Sequence, residues 1–178
     1  MDAQSDAAFP VFVEQPPPRS HARLIISIVG LALYAGVVLL ATMWPTPLDR
    51  GYSESIDRVL EVLHRNGVPT WFGYSKFEFT ANIAMFFPLG FLLSLALPRR
   101  VWWVALVLLP LFSGTIELLQ ATFLAERFAS VFDVIANTLG GYLGSAVALV
   151  VRAIVRARDE TVLARALWEA GVRRYPAP

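Results

Sequence analysis

Two long apolar runs carry carboxyl and amide side chains close to the short segment that joins them. Glu117 and Gln120 precede that segment, Asp133 and Asn137 follow it, and Arg127 lies within it. Charged groups in the hydrocarbon region of a bilayer are costly and are usually kept for a pathway, a binding site or an internal ion pair. This stretch therefore predicts a polar site built from two neighbouring membrane helices.

A carboxyl group among neutral amides inside a membrane is suited to general acid/base catalysis or proton transfer. Glu117 has Ser113 and Gln120 as neighbours on one helix face, because residues three and four apart share a face. An Arg fork binds a carboxylate through two parallel hydrogen bonds. Arg127 therefore either pairs internally with Asp133 or Glu117, or meets an anionic group of a ligand, and the sequence leaves both alternatives open.

The composition indicates an integral membrane protein. Of the 178 residues, 56% are hydrophobic and only 16% are charged, whereas a soluble domain carries about a quarter of charged residues. The absence of cysteine excludes disulfides, zinc–thiolate sites and cysteine nucleophiles. His21 and His64 are the two histidines, and their spacing does not suggest a metal site. We expect neither a metal ion nor a cofactor.

Helix periodicity and run length predict the secondary structure. About 20 apolar residues form a helix that crosses the hydrocarbon core of about 30 Å, and this length recurs in the runs 24–43, 77–97, 101–121 and 132–151. In residues 52–65, apolar residues recur at helical spacing on one face and charged residues occupy the other. This pattern predicts an amphipathic helix on the outer surface. An apolar stripe over 163–170 predicts a short amphipathic helix on the inner leaflet.

We therefore predict an all-α polytopic membrane protein, with a four-transmembrane-helix bundle, an outer amphipathic helix and a cytoplasmic amphipathic C-terminal helix. Residues 1–20 are polar and proline-rich and are expected to form a disordered cytoplasmic tail. Residues 21–151 are predicted to form the membrane domain, and 152–178 a basic cytoplasmic tail. Ten Lys and Arg residues fall in the proposed cytoplasmic segments and five in the outer ones. By the positive-inside rule, both termini are predicted to be cytoplasmic.

Three strongly polar residues of different spans share one predicted depth. Asn82, Glu117 and Asn137 each lie four or five residues from the outer end of their span, which is roughly 6–8 Å beneath the outer surface at 1.5 Å per residue. Random placement would rarely produce this agreement. It predicts a polar pocket near the outer leaflet.

The backbone features of these spans also predict how they pack. Small residues recur at every fourth position of the last span, namely at Ala136, Gly140, Gly144 and Ala148, and such a stripe lets two helices approach closely. Pro88 and Pro110 are expected to bend their helices and to free the carbonyl groups of Ala84 and Leu106. Because these bends lie deeper in the membrane than the polar residues, they would separate the outer halves of the two helices and open a cavity between them.

Several short motifs occur in a fixed order along this part of the chain. Glu78 precedes Asn82-Ile83, F-P-L-G follows at 87–90, E-x-x-Q stands at 117–120, and R-x5-D-x3-N-x2-G begins at Arg127. With these motifs, residues 30–150 resemble the VanZ-like family of small bacterial membrane proteins. Many family members have a D-K-x-x-H-type element, which is matched only loosely here by Asp57-Arg58 and His64.

The resemblance implies a multi-pass protein of the bacterial plasma membrane. The family is named for a protein associated with low-level resistance to the glycopeptide teicoplanin, and the resemblance implies no biochemical activity. The first predicted function is the binding of an amphiphile, either a glycopeptide, a lipid-linked cell-wall intermediate or a phospholipid. The predicted ligand-binding residues are Glu78, Asn82, Glu117, Gln120, Arg127, Asp133 and Asn137.

The alternative is an intramembrane hydrolase or transferase that acts on such an amphiphile. Glu117 would be the general base, Asp133 its partner or acid, and Arg127 would stabilise developing negative charge. Against this alternative, the chain contains no H-E-x-x-H, phosphate-loop or dinucleotide motif. Proton-coupled transport is a weaker third hypothesis, because no internal repeat is evident.

The predicted partner is the lipid bilayer, with a glycopeptide or lipid as the possible ligand. Nucleic-acid binding is disfavoured, since the C-terminal arginines follow a membrane helix directly, where attraction to anionic lipid explains them. The sequence leaves the oligomeric state open.

Overall fold

The computed structural model describes residues 22–43, 53–124 and 130–169, and this part of the chain is helical without any strand. In chain order, the α-helices are α1 Ala22–Thr42, α2 Ser53–Arg65, α3 Tyr74–Ala96, α4 Val104–Phe123 and α5 Val131–Glu169, with a 3-10 turn Arg99–Val101 between α3 and α4. The predicted all-α class is confirmed. The predicted tail over 1–20 and the last nine residues lie outside the described residues.

Four of these helices are long and apolar enough to cross a membrane, namely α1, α3, α4 and α5. Each contains most of one predicted span, so the predicted number of spans is confirmed. The intervening α2 also forms, and it turns Leu60 inward while Val59 and Val62 stay exposed. Its place on the outer surface stays a prediction, as does the side of the membrane on which the termini lie.

Helix α5 is longer than predicted. It runs without a break for 39 residues, about 58 Å at 1.5 Å per residue, which is nearly twice the hydrocarbon thickness of about 30 Å. The predicted amphipathic stripe at 163–170 thus begins on α5 itself and not on a separate helix. The physical reason is local, because no glycine or proline occurs between Gly144 and Glu169, and Arg156 pairs with Glu160 one turn later.

The helices define two ends of the bundle. At the polar end, α1 and α4 end while α3 and α5 begin, and Gln120 Nε2 of α4 donates a 2.8 Å hydrogen bond to the Thr42 carbonyl of α1. The opposite end, here the turn end, contains the 3-10 turn after α3 and the continuation of α5. Arg152 of α5 donates hydrogen bonds to the last carbonyl groups of α3 there.

Helices α3 and α5 touch backbone to backbone. A Cβ atom added at Gly140 would lie 2.2 Å from the Ile83 carbonyl oxygen, and one added at Gly144 would lie 1.9 Å from that of Phe87. The two alanines of the predicted small-residue stripe are fully buried. The stripe therefore lies in a contact that only residues without a large side chain can form.

The prolines inside the helices have hydrogen-bond donors nearby on other helices. Pro110 has no N–H group to offer the Leu106 carbonyl, and Tyr142 of α5 donates its hydroxyl to that oxygen at 2.7 Å. In α3, Pro88 frees the Ala84 carbonyl, and Tyr34 of α1 donates its hydroxyl to the neighbouring Met85 carbonyl at 2.9 Å. An unsatisfied carbonyl in hydrocarbon costs several kcal/mol, so Tyr142 reconciles Pro110 with a membrane location.

Candidate functional site

One stripe of α4 presents its polar side chains to the interior. Ser113, Glu117 and Gln120 are all buried, and Glu117 is only 7% exposed. Their spacing of four and three residues places them on one helix face, as predicted. The helix therefore carries a carboxyl, an amide and a hydroxyl group into the contact with its neighbours.

Asn137 of α5 joins this stripe. Its Nδ2 donates a 3.0 Å hydrogen bond to Ser113 Oγ, and the residue is 3% exposed. Its Oδ1, with two acceptor positions, has no hydrogen-bond partner in the described part of the chain, and the same holds for the hydroxyl group of the adjacent Thr138. Two buried polar atoms on consecutive residues are thus left unsatisfied beside α4.

Asp133 lies one turn before Asn137 and connects α5 to α3. Its Oδ1 accepts a 2.8 Å hydrogen bond from Asn82 Nδ2. Residues four apart on a helix share a face, so Asp133 and Asn137 lie on one side of α5, where the first contacts α3 and the second contacts α4. The first two turns of α5 consequently stand between the two other helices.

Glu117 contacts the start of α5. Its Oε2 accepts a 2.9 Å hydrogen bond from the backbone N–H of Ser130, the residue that precedes the helix. The Ser130 hydroxyl oxygen in turn accepts a weak hydrogen bond of 3.4 Å from the Asp133 backbone N–H. Ser130 therefore connects the two acidic residues, and a carboxylate near the positive end of the helix dipole is favourably placed.

Gln120 has a different partner, the last turn of α1. Its bond to the Thr42 carbonyl satisfies one of the acceptors that every helix C-terminus leaves without an internal donor. Thr42 is itself buried, and its hydroxyl donates to the Val38 carbonyl. The sequence analysis did not identify Thr42, because a threonine at the end of an apolar run carries no specific signal.

The structure does not bring every predicted site residue together in the same way. Glu78 lies on an exposed part of α3, one turn before Asn82. Arg127 lies outside the described residues, so its pairing with Asp133 or Glu117 stays a prediction. His64 Nε2 lies 3.1 Å from the Phe72 carbonyl oxygen and connects α2 with the segment before α3.

Other charges at the polar end belong to the surface. Lys76 Nζ lies 4.0 Å from the centre of the Trp71 ring and also donates to the Trp71 carbonyl, a cation–π arrangement. Within the described ranges, no group of three or more His, Asp or Glu side chains could hold a metal ion. The amide side chains of this arrangement can form hydrogen bonds. The carboxyl groups of Glu117 and Asp133 can in addition accept and release a proton.

Comparison with known proteins places the chain in a family. The family model described as VanZ/LLP1 matches residues 31–152. No curated protein matches the chain, and no solved structure matches it. The matched range contains every residue of the polar cluster formed by Asn82, Ser113, Glu117, Gln120, Ser130, Asp133 and Asn137. By this match over more than half of its length, the chain belongs to the VanZ/LLP1 family.

Proposed function

We propose that this VanZ/LLP1 protein binds the head group of an amphiphile at the polar cluster. The ligand is a glycopeptide, a lipid-linked cell-wall intermediate or a phospholipid, whose hydroxyl or amide groups form hydrogen bonds with the cluster. Its apolar chain lies along the exposed apolar surfaces of the helices, which are in contact with lipid. The supporting observation is Asn137, which is buried and whose Oδ1 has no partner in the described part of the chain.

An unsatisfied buried acceptor is expensive. Leaving one unpaired costs about 1–3 kcal/mol, and each such atom in a native protein calls for an explanation. A ligand hydroxyl or amide that donates to Asn137 Oδ1 would recover this free energy on binding. The sugar, peptide and glycerol head groups of the proposed amphiphiles all carry such donors.

The other residues of the cluster have complementary proposed roles. Asn82 and Gln120 use their NH₂ groups to hold α5 and α1, so their amide oxygens are the groups that we propose for the ligand. Arg127 is proposed to meet an anionic group, through a bidentate pair where that group is a phosphate or carboxylate. Glu78, Glu117 and Asp133 complete the proposed set as acceptors. A role in glycopeptide resistance would follow from binding of the antibiotic or of its cell-wall target.

The test compares two buried polar residues of α5 in the purified protein in lipid nanodiscs. Asn137→Ala removes the amide whose Oδ1 is unpaired within the described part of the chain, while Ser145→Ala, the matched control, removes a buried hydroxyl that donates to the Gly90 carbonyl at 3.2 Å. Native mass spectrometry measures binding of teicoplanin, a polyprenyl-linked cell-wall intermediate and phosphatidylglycerol. We expect at least one probe to bind about tenfold more weakly to Asn137→Ala, since a lost hydrogen bond of about 1.4 kcal/mol is a factor of ten.

Equal binding of every probe by the wild type, Asn137→Ala and Ser145→Ala would overturn the proposal. Arg127→Ala provides an independent variant. We expect it to weaken only probes that carry a phosphate or carboxylate group. Retention of the elution volume and helical content of the wild type separates a binding defect from unfolding.

A second candidate function is supported by Ser130, which contacts the Glu117 carboxyl group and the backbone of Asp133. Glu117 accepts from its N–H and Asp133 donates a backbone N–H to its hydroxyl. In a hydrolase, Glu117 would take a proton from water as the water oxygen attacks an ester or phosphoryl centre, and Asp133 would give a proton to the departing oxygen. Mass spectrometry of the probes after incubation decides. Product formed by the wild type and lost in Glu117→Gln supports an enzyme, and full recovery of intact probes excludes it for these substrates.

A further inference from the structure

The two ends of the bundle differ in charge. Apart from Asp159, Glu160 and Glu169 in the extension of α5, the acidic residues of the membrane-spanning helices belong to the polar end, namely Glu78, Glu117 and Asp133. No acidic residue lies between Glu78 and Glu117 or between Asp133 and Asp159. The turn end carries five arginines, namely Arg99, Arg100, Arg152, Arg156 and Arg158. The five arginines outnumber the adjacent Asp159 and Glu160, so this end is positive.

Arg152 brings the two arginine-bearing segments together. Its guanidinium donates to the carbonyl oxygens of Ser94 at 2.8 Å, Leu95 at 3.3 Å and Leu97 at 2.9 Å. The last turn of α3 is thereby held against α5. The 3-10 turn with Arg99 and Arg100 begins two residues after Leu97, so these two arginines follow the anchored end of α3 directly along the chain.

The remaining arginines of this end are accessible. Arg99 and Arg100 are exposed, and Arg156 lies one turn beyond Arg152 on the same side of α5. The Arg156 Nε donates to Glu160 at 2.8 Å, which uses one of the five N–H donors of the guanidinium group. Two tryptophans follow the 3-10 turn directly, and both are exposed, as is typical of residues at a membrane interface.

We propose that Arg99, Arg100 and Arg156 form a binding site for the phosphate groups of anionic phospholipids, held in shape by Arg152. The position beside four membrane-spanning helices favours lipid as the partner. Arginine forks match phosphate oxygens, and clusters of basic residues next to a membrane helix bind anionic lipid surfaces. This site is independent of the polar cluster, which lies at the opposite end of the bundle.

The test uses the tryptophans of the site as local reporters. In a background with Trp44→Phe, Trp71→Phe and Trp168→Phe, the fluorescence comes from Trp102 and Trp103. Brominated lipid quenches a tryptophan that it touches, so nanodiscs with increasing brominated phosphatidylglycerol or brominated phosphatidylcholine compare the occupancy by the two head groups. We expect half-maximal quenching at a mole fraction of phosphatidylglycerol about tenfold lower than that of phosphatidylcholine.

Two double variants test which arginines cause the preference for phosphatidylglycerol. Arg99→Gln combined with Arg100→Gln should abolish the tenfold preference, while quenching by phosphatidylcholine should not change. Arg58→Gln combined with Arg65→Gln is the control, because it removes the same charge from the exposed surface of α2. Equal quenching by the two lipids in the wild type would overturn the proposal, as would an equal loss of preference in both double variants.

Discussion

The backbone N–H of Ser130 donates a 2.9 Å hydrogen bond to Glu117 Oε2, so a carboxyl group of α4 accepts from the residue that precedes α5. In a capping box, the acidic residue three positions after the N-cap would accept this bond. Here that residue, Asp133, accepts a hydrogen bond from Asn82 of α3 instead. Because Glu117 replaces Asp133 as the acceptor, the start of α5 contacts α4 and α3 at the same time.

The first prediction concerns the hydrogen bond between Glu117 and Ser130. Glu117→Gln keeps a carbonyl oxygen that can accept the bond and should cost less than about 1 kcal/mol, the size of a helix-dipole interaction. Glu117→Leu leaves the Ser130 N–H without its acceptor and should cost about 1–3 kcal/mol. Thermal unfolding in detergent, followed by circular dichroism, measures both. Equal losses in the two variants would show that the charge matters and the hydrogen bond does not.

The second prediction concerns the contact between α3 and α5. Gly144→Ala should cost about 3 kcal/mol or more, at the upper end of the overpacking range, because the added methyl group meets the Phe87 backbone and not a flexible side chain. Gly114→Ala in α4 is the control, since nothing lies within 4 Å of its added Cβ. It should instead stabilise by about 0.5–1 kcal/mol, the helix propensity gain. Unfolding in detergent checks both signs, and a tolerated Gly144→Ala would contradict the close contact.

The third prediction concerns the tyrosine beside Pro110. Tyr142→Phe removes the donor to the Leu106 carbonyl and should cost about 1–2 kcal/mol, because that oxygen has lost its helical partner to proline. In a Pro110→Ala background, the N–H of residue 110 supplies the bond, so the same change should cost less than about 0.5 kcal/mol. A double-mutant cycle measures this difference. A cycle with zero coupling would disprove the proposed compensation.

The fourth prediction concerns Arg152. Arg152→Met keeps much of the apolar stem but leaves three carbonyl oxygens at the end of α3 without their donor, and should cost about 2–4 kcal/mol. Arg65→Met is the control, as it breaks only an exposed pair with Glu61 on α2 and should cost at most about 0.5 kcal/mol. Unfolding with increasing sodium dodecyl sulfate, without guanidinium as a denaturant, measures the loss of stability in both variants. A small and equal effect would show that the end of α3 does not need this donor.

The sequence was sufficient for the features that depend on one helix. Twenty apolar residues specify a span by length alone, and the spacing of Ser113, Glu117 and Gln120 specifies which of them share a face. The small residues at 140 and 144 also indicated a close contact, because a missing side chain is visible in the sequence. Each of these features repeats along the chain with the period of the helix.

The partners of the polar side chains could not be predicted, because they depend on how helices rotate about one another. The shared depth predicted for Asn82, Glu117 and Asn137 did not indicate their partners, which are Asp133, Ser130 and Ser113 respectively. Ser130 carries the one signal that was overlooked, since a serine three residues before Asp133 is the pattern of a helix N-cap. The continuity of α5 was also missed, because the basic residues after 151 suggested the end of a span, although they do not end a helix.

The contact of Gly140 and Gly144 with Ile83 and Phe87 has a consequence for changes in chain length. One residue inserted between Ile83 and Phe87 would rotate the rest of α3 by about 100°. A side chain of α3 would then lie where its backbone now contacts the two glycines, and α3 and α5 would be forced apart. A residue inserted in the loop between α2 and α3 leaves that rotational register untouched. Insertions and deletions should therefore be accepted in the connecting segments of this fold and rejected within the paired turns of α3 and α5.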